Sequence, residues 1–365
     1  MSEWQTFCLK DLVKIFGGST PPTNNPKNYG NKIRWITAKD LSTLQGRYIK
    51  KGSRSISRLG FKSCSTFLLP KHAILFSVRA PIGYTAIISK RSCTDRGLMG
   101  LVPNKKIYFE FLYYLLKYHK DNISNMGVGT TFKGISKPAL GLFKVKIPPT
   151  YYEQQKIART LSILDQKIEN NHKINELLHT LAYKIYEYYF KYKPKNAKLE
   201  QIIIENPKSN IMVKNAQKTQ GKYPFFTSGD NILSYPKAII DGRNCFLNTG
   251  GNAGIKFYVG KASYSTDTWC ICANEFSDYL YLLLSSIKNH INQSFFQGTS
   301  LKHLQKNLLK KYPIYMPSAH EIKKFNQIMM PLLTLISINT RTSKKLEQIR
   351  DFLLPLLLKQ QVKPK

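Results

Sequence analysis

Two stretches of the chain read alike, and they limit what it can fold into more than any other feature. TYYEQQKIARTLSILDQKIENNHKINELL begins at Thr150, and SAHEIKKFNQIMMPLLTLISINTRTSKKL begins at Ser318, a constant offset of 168 residues. Each opens on a capping-box signature, Thr150 with Glu153 and Ser318 with Glu321, directly after Pro149 and Pro317. In such a box the hydroxyl accepts from the backbone N–H three residues on, and the Glu side chain reaches back to the cap N–H. Apolar residues then step by three and four. Ile157, Leu161, Leu164 and Ile168 precede Asn171, and Ile174, Leu178, Leu181 and Ile185 follow it. The second copy answers with Phe325, Met329, Leu332 and Ile336 before Asn339, then Thr342, Leu346, Ile349 and Leu353.

The spacing, with a three-three step around each Asn that shifts the register, predicts two coiled-coil-like helices. Each would run for about 40 residues, or roughly 60 Å, too long to be one side of a small core. If the helices pair antiparallel about an internal two-fold, their midpoints meet. The expectation is then that the Asn171 and Asn339 amides bond across the seam, fixing register at a cost in stability. Pro331 and Pro355 have no counterpart in the first copy and are expected to kink the second helix.

The repetition extends upstream. FLYYLLKY from Phe111 matches YLYLLLSS from Tyr279, both with a helical pattern, and GTTFKGISKPALGLFKVKIPP from Gly129 matches GTSLKHLQKNLLKKYPIYMP from Gly298. RAPIG from Arg79 has a looser counterpart in TGGNAG from Thr249, each a Gly-containing turn after an apolar run. Strand patterns fall at residues 33–37, 73–78, 84–89, 256–259 and 269–273. The expected class is therefore α/β (α+β), with two globular domains and two long spacer helices. The divisions expected are 1–149 for the first domain, 150–192 for its helix, 193–317 for the second domain and 318–365 for the last helix.

Charge names the partner class. With 56 Lys+Arg against 21 Asp+Glu the formal net charge is +35, which points to a polyanion. The N-terminal stretch has acidic residues and no apolar core of a signal peptide. The runs MMPLLTLISI and FLLPLLL are well short of the roughly 20 residues that span a bilayer, so a cytoplasmic protein without a membrane is expected. The six cysteines contain no CxxC pair and the seven histidines show no ligand spacing, so neither disulfides nor a metal site is expected.

Catalytic signatures are missing. Pro148 and Pro149 resemble the Asn/Asp-Pro-Pro-Tyr loop of amino-methyltransferases, but Ile147 offers no oxygen to accept from a target amino group. TGGNAG lacks the spacing of a dinucleotide loop, and there is no Walker lysine loop, HExxH, GxSxG or nuclease carboxylate cluster. What remains is binding. Lys and Arg neutralise phosphates, and polar side chains entering a groove read bases. The DNA-binding candidates are Thr37, Lys39, Arg79, Arg96, Lys133 and Lys137 in the first domain, and Thr227, Ser228, Asn248, Asn252, Lys256 and Lys302 in the second. Two rival readings stay open: a self-sufficient DNA adenine methyltransferase or nuclease, and a basic RNA-binding scaffold.

Over nearly its whole length the chain resembles the specificity subunit of type I restriction-modification systems. The carrying motifs are LKDLVKIFGGSTP, RAPIG with DRGLMGLVP, IPPTYYEQQKIARTLSILDQKI, YPFFTSG, NTGGNAGIKFYVG and RDFLLPLL. The resemblance implies two target recognition domains, each reading half of a split double-stranded DNA sequence, on helices lying antiparallel. It also implies a scaffold without catalysis. Two modification subunits would methylate adenine N6 with S-adenosylmethionine, and motor-nuclease subunits, two of them if present, would use ATP and magnesium. No cofactor is implied for this chain. Carried over, the partner-docking places are the surroundings of Glu153, Gln154 and Glu321. Ile322 stands where the first copy has Gln154, which leaves the role of that glutamine in doubt and suggests an asymmetric grip.

Overall fold

The computed structural model describes residues 3–79, 81–128, 133–219 and 221–364. Ala80 of the RAPIG turn and residues 129–132 of the Gly-Thr element lie outside the described residues. The chain divides into two compact units, residues 1–170 with 344–365, and residues 171–343.

The first unit is built on a five-stranded sheet in the order Val13–Gly17, Leu98–Pro103, Ile74–Ser77, Thr85–Ile88 and Tyr48–Ile49. All its pairs are antiparallel except the last. A smaller sheet sets Tyr29–Ile36 between antiparallel Arg54–Ile56 and parallel Cys93–Thr94. Gln5–Cys8 pairs with Lys144–Ile147 and so ties the start of the unit to the strand that precedes the long helix. Ile74, Phe76 and Leu101 from the sheet, with Phe111, Leu112 and Leu115 from helix Phe109–Tyr118, form one buried cluster with Ile157 and Leu161. Each such side chain contributes about 1.5–3 kcal/mol when fully buried, so the cluster seats the sheet on the long helix.

The second unit repeats this plan. Its larger sheet runs Ile204–Glu205, Thr268–Cys272, Arg243–Asn248 and Ile255–Val259, all antiparallel. Its smaller sheet sets Tyr223–Phe226 between antiparallel Leu233–Tyr235 and parallel Ser263–Tyr264. Ala197–Lys198 pairs with Pro313–Ile314 as Gln5–Cys8 pairs with Lys144–Ile147. Helix Ser277–Ser286 takes the place of Phe109–Tyr118, burying Leu280, Leu283 and Leu284 beside Ala182, Tyr186, Phe325 and Met329. The strand patterns read in the sequence all fall on strands.

The long helices span Tyr151–Phe190 and Ala319–Leu358, and the second runs unbroken through Pro331 and Pro355. Each cap hydroxyl pairs with its Glu, and Ser318 N–H closes the second box on Glu321 Oε2 at 3.0 Å. Thr150 Oγ1 donates to Glu153 Oε2 at 3.1 Å and accepts from Glu153 N–H at 3.2 Å; Ser318 Oγ donates to Glu321 Oε2 at 2.9 Å. In each unit rising numbers on one helix meet falling numbers on the other. In the first, Asp165 meets Arg350, and Ile157 and Leu161 lie with Leu354 and Leu357. In the second, Asn171 meets Ser343 and Asn175 meets Asn339.

The seam departs from the sequence reading beyond its middle. Ile174, Leu181, Thr342 and Ile349 face outward, while Asn175, Leu178, Ala182, Ile185 and Tyr186 turn in. The steps of four and three continue unbroken through Asn171, Asn175, Leu178, Ala182 and Ile185, so the inward line keeps the heptad and the three-three step read around each Asn does not occur. The Asn171–Asn339 contact expected from the sequence is replaced for the same reason. Each asparagine meets a residue one turn along the other helix. Asn339 Nδ2 donates to Asn175 Oδ1 at 2.9 Å, and Asn171 Nδ2 donates to Ser343 Oγ at 3.2 Å.

Candidate nucleic-acid interface

At one end of each larger sheet the turn segments are laced by the same backbone bonds. In the first unit Val78 N–H donates to the Gly97 carbonyl at 2.9 Å, Asp95 N–H to Ile36 at 3.0 Å, and Ile135 N–H to Val78 at 2.9 Å. In the second, Thr249 N–H donates to Asp267 at 3.1 Å, Ser265 N–H to Phe226 at 2.9 Å, and Leu304 N–H to Thr249 at 3.0 Å. The strand-ending polar residues also correspond. The Ser77 hydroxyl donates to the Pro81 carbonyl at 2.9 Å and Asn248 Nδ2 to the Asn252 carbonyl at 3.1 Å, each reaching four residues on. Arg79 bridges Gly134, and Gly250 bridges His303. The RAPIG and TGGNAG turns are therefore matched positions, although they share little sequence.

This frame gathers most of the sequence candidates, but in two different roles. Lys39, Arg79, Arg96 and Lys133 are exposed on the first rim, and Asn252 and Lys302 on the second. These present basic or amide groups outward, as phosphate and base-edge contacts require. Lys137 is exposed at the start of helix Lys137–Leu142, beyond the bridged segment.

The others serve the frame itself. Thr37 caps helix Ala38–Ser42, its hydroxyl donating to Asp40 Oδ2 at 2.8 Å. Burial works against the Asp40 carboxylate, but N–H donors from Ser53 and Thr37 outweigh it and hold the group below its usual range. Thr227 is buried and accepts from Gly229 N–H at 3.0 Å; the Ser228 hydroxyl donates to the Asp267 carbonyl. Asn248 is 8% exposed, and the Lys256 ammonium points inward to the carbonyls of Thr227 and Gly229 at 2.7 Å each. Gly251 turns the chain with φ of +77°, which disfavours any side chain there.

Of the docking candidates at the helix starts, Gln154 faces inward, while Glu153 and Glu321 are half-buried. Gln154 is 1% exposed; its Oε1 accepts from Tyr108 N–H at 2.8 Å and its Nε2 donates to the carbonyls of Lys106 at 3.0 Å and Pro148 at 3.3 Å. Ile322, its counterpart, is buried too, so the two copies differ at a buried place. Glu321 accepts from Ser318 N–H at 3.0 Å and from the Tyr315 hydroxyl at 2.7 Å. Those donors, the Ser318 N–H foremost, pull its carboxyl down to about 2.

A buried charge cluster was not anticipated. Arg47, 3% exposed, donates to Glu110 at 3.0 Å and to Glu169 at 3.3 Å, while Asp165 accepts from the Tyr114 hydroxyl at 2.6 Å and from Arg350 at 2.7 Å. Glu110 opens helix Phe109–Tyr118 as Asp278 opens Ser277–Ser286, where Asp278 receives Arg243 through two bonds of 2.6 Å. With acids so scarce, an Asp inside an apolar seam was the available signal. Among the described residues no group of three or more His, Cys, Asp or Glu is placed to hold a metal, and no helix is long and apolar enough to cross a membrane.

The family model described as the type I restriction modification DNA specificity domain matches residues 1–180 and 195–348. The chain belongs to this family. It is 28% identical to the MjaIX type I specificity subunit of Methanocaldococcus jannaschii, covering 98% of this chain and 93% of the relative. It is 32% identical to the MjaX specificity subunit of the same organism over 50% of this chain and 41% of the relative. The crystal structure of a type I system S subunit from M. genitalium superposes with a TM-score of 0.64 at 18% identity, covering 98% of this chain and 96% of that one, and shows the same fold. The specificity subunit thus has a DNA target recognition role and works with the other subunits of a restriction-modification system. Neither rival reading finds support in this match.

Proposed function

We propose that this specificity subunit reads a split double-stranded DNA target, one half on each rim, and carries no catalytic step of its own. One observation supports this most: the same hydrogen-bonded frame occurs in both units but presents different side chains, Lys39, Arg79 and Arg96 in one, Asn252 and Lys302 in the other. A shared frame suits two equivalent placements on a duplex, and unlike side chains suit two unlike half-sites. S-adenosylmethionine then belongs to two modification subunits that methylate adenine N6, and ATP and magnesium to motor-nuclease subunits where present. A cytoplasmic location follows from that work.

For docking of the modification subunits, the outward line of the long helices is a better candidate than the surroundings of Glu153, Gln154 and Glu321. Ile174, Leu177 and Leu181 are exposed in the second unit, and Ile349 and Phe352 in the first. Apolar side chains at helical spacing and open to water favour a partner helix. Mapping methyl-adenine in host DNA with and without this gene tests the reading. Loss of one bipartite motif is expected; an unchanged methylome, or loss of a continuous motif, would refute it. Leu177→Glu with Leu181→Glu is expected to weaken capture of the modification subunit at least about tenfold while leaving the thermal midpoint of the free subunit unchanged.

A further inference from the structure

In a chain whose surplus charge is basic, one lysine is turned into the frame. Lys256 lies on strand Ile255–Val259 and sends its ammonium to the carbonyls of Thr227 and Gly229, each at 2.7 Å, and to Asn248 Oδ1 at 3.5 Å. An ammonium has three N–H donors, so this set occupies all of them and leaves none for a phosphate. Asn248 passes the tie onward, its Nδ2 donating to the Asn252 carbonyl at 3.1 Å. Gly254 closes on the same amide so tightly that a Cβ there would meet Asn248 Nδ2 at 2.3 Å. The turn beyond is fastened by Gly251 N–H to the Lys302 carbonyl at 2.9 Å. Segment 227–229 is therefore tied to this ammonium directly, 249–252 through Asn248, and 302–304 through that turn.

The first unit has no such lysine. Ala86 takes the matching place, opposite Leu75 as Lys256 is opposite Phe246. Its corresponding loop is pinned instead by a carboxylate, Asp40 accepting from Thr37 N–H at 2.8 Å and from Ser53 N–H at 2.8 Å. The two rims share a backbone frame but fix their loops with groups of opposite charge.

We infer that Lys256 is a positioning residue for DNA reading: it touches no DNA, and its ammonium sets loop 227–229 of the frame and, through Asn248, loop 249–252, whose Asn252 reads the half-site of the second unit. This rests on the reading of that rim proposed above. A loop held by charge-assisted bonds loses little order on binding, and base discrimination depends on holding donors and acceptors in register with the base edges. Burial, with Lys288 adding to it and Asp230 opposing, makes this amine less basic than a solvated one, in keeping with an inward role.

The test is selection from a random duplex library by the full modification complex carrying wild type, Lys256→Met, Asn248→Ala, or Asn252→Ala with Lys302→Ala. Lys256→Met is expected to blur one half-site, cutting discrimination there about tenfold, while the other half stays sharp. Asn248→Ala breaks the same chain of bonds and is expected to blur the same half, which keeps the inference open to refutation if Lys256→Met does not fold. If both halves stay sharp, the positioning role is wrong. If affinity falls uniformly for all sequences and the slope of log affinity against log salt shrinks by about one, Lys256 is a phosphate contact and the inference fails. If instead the Asn252 and Lys302 changes leave both halves intact, the reading of the rim fails and not the role of Lys256 alone.

Discussion

Asn339 bonds to Asn175 and not to Asn171, its partner under the repeat. Asn171 in turn bonds to Ser343, and the offset of 168 residues that carries Asn171 to Asn339 also carries Asn175 to Ser343. The two contacts are thus exchanged by the duplication, as a local two-fold between the helix segments requires. Two polar pairs, each off the axis, fix the register that a single pair on the axis was expected to fix.

Removing one side of such a pair leaves a half-buried amide unmatched. Asn339→Leu is expected to cost about 1–2 kcal/mol, whereas Asn175→Leu with Asn339→Leu should cost less than the single change. Calorimetric unfolding of the three proteins distinguishes this from simple additivity.

The Arg47 cluster binds sheet, short helix and long helix together in the first unit. Arg47→Met takes the buried cation from Glu110 and Glu169, and a loss of about 3–5 kcal/mol is expected, seen as a lower urea midpoint for that unit. Arg350→Met strands Asp165 only in part, because Tyr114 still donates to it, and should cost less.

Gln154 is a core residue by its bonds. Gln154→Leu leaves Tyr108 N–H without its acceptor and should lower stability by about 1–3 kcal/mol. Capture of modification subunits by the folded variant is expected to match wild type, and a selective loss of capture would return this residue to the docking surface.

Glu321 makes the second helix start sensitive to acid. Its carboxyl sits at about 2 against an ordinary 4.5, so the stabilisation it gives is complete above about 4.5 and fades as the pH falls towards about 2. The difference in thermal midpoint between wild type and Glu321→Gln should therefore be largest near neutral pH and shrink through that window.

The repeat, both caps, the helix starts and the strand patterns were legible because each is set by local chemistry: a hydroxyl and a carboxylate three residues apart, or apolar residues at a fixed period. The inward turn of Gln154, Lys256 and Arg47 was not. In a chain with 56 basic residues, no local signal separates a lysine that meets phosphate from one that binds three backbone and side-chain oxygens. The seam failed for a related reason. Ile174 and Leu181 are apolar but each lies one residue before a heptad place, and the places themselves are held by Asn175 and Ala182, which a reading by apolar residues passes over.

The central claim, that two matched rims read two separate half-sites, is tested most directly by changing exposed residues of one rim at a time and sequencing the methyl-adenine motif that results. Lys39→Ala with Arg96→Ala should alter one half of the motif, and Asn252→Ala with Lys302→Ala the other. Changes in both halves from either pair, or in neither half from both pairs, would contradict the account.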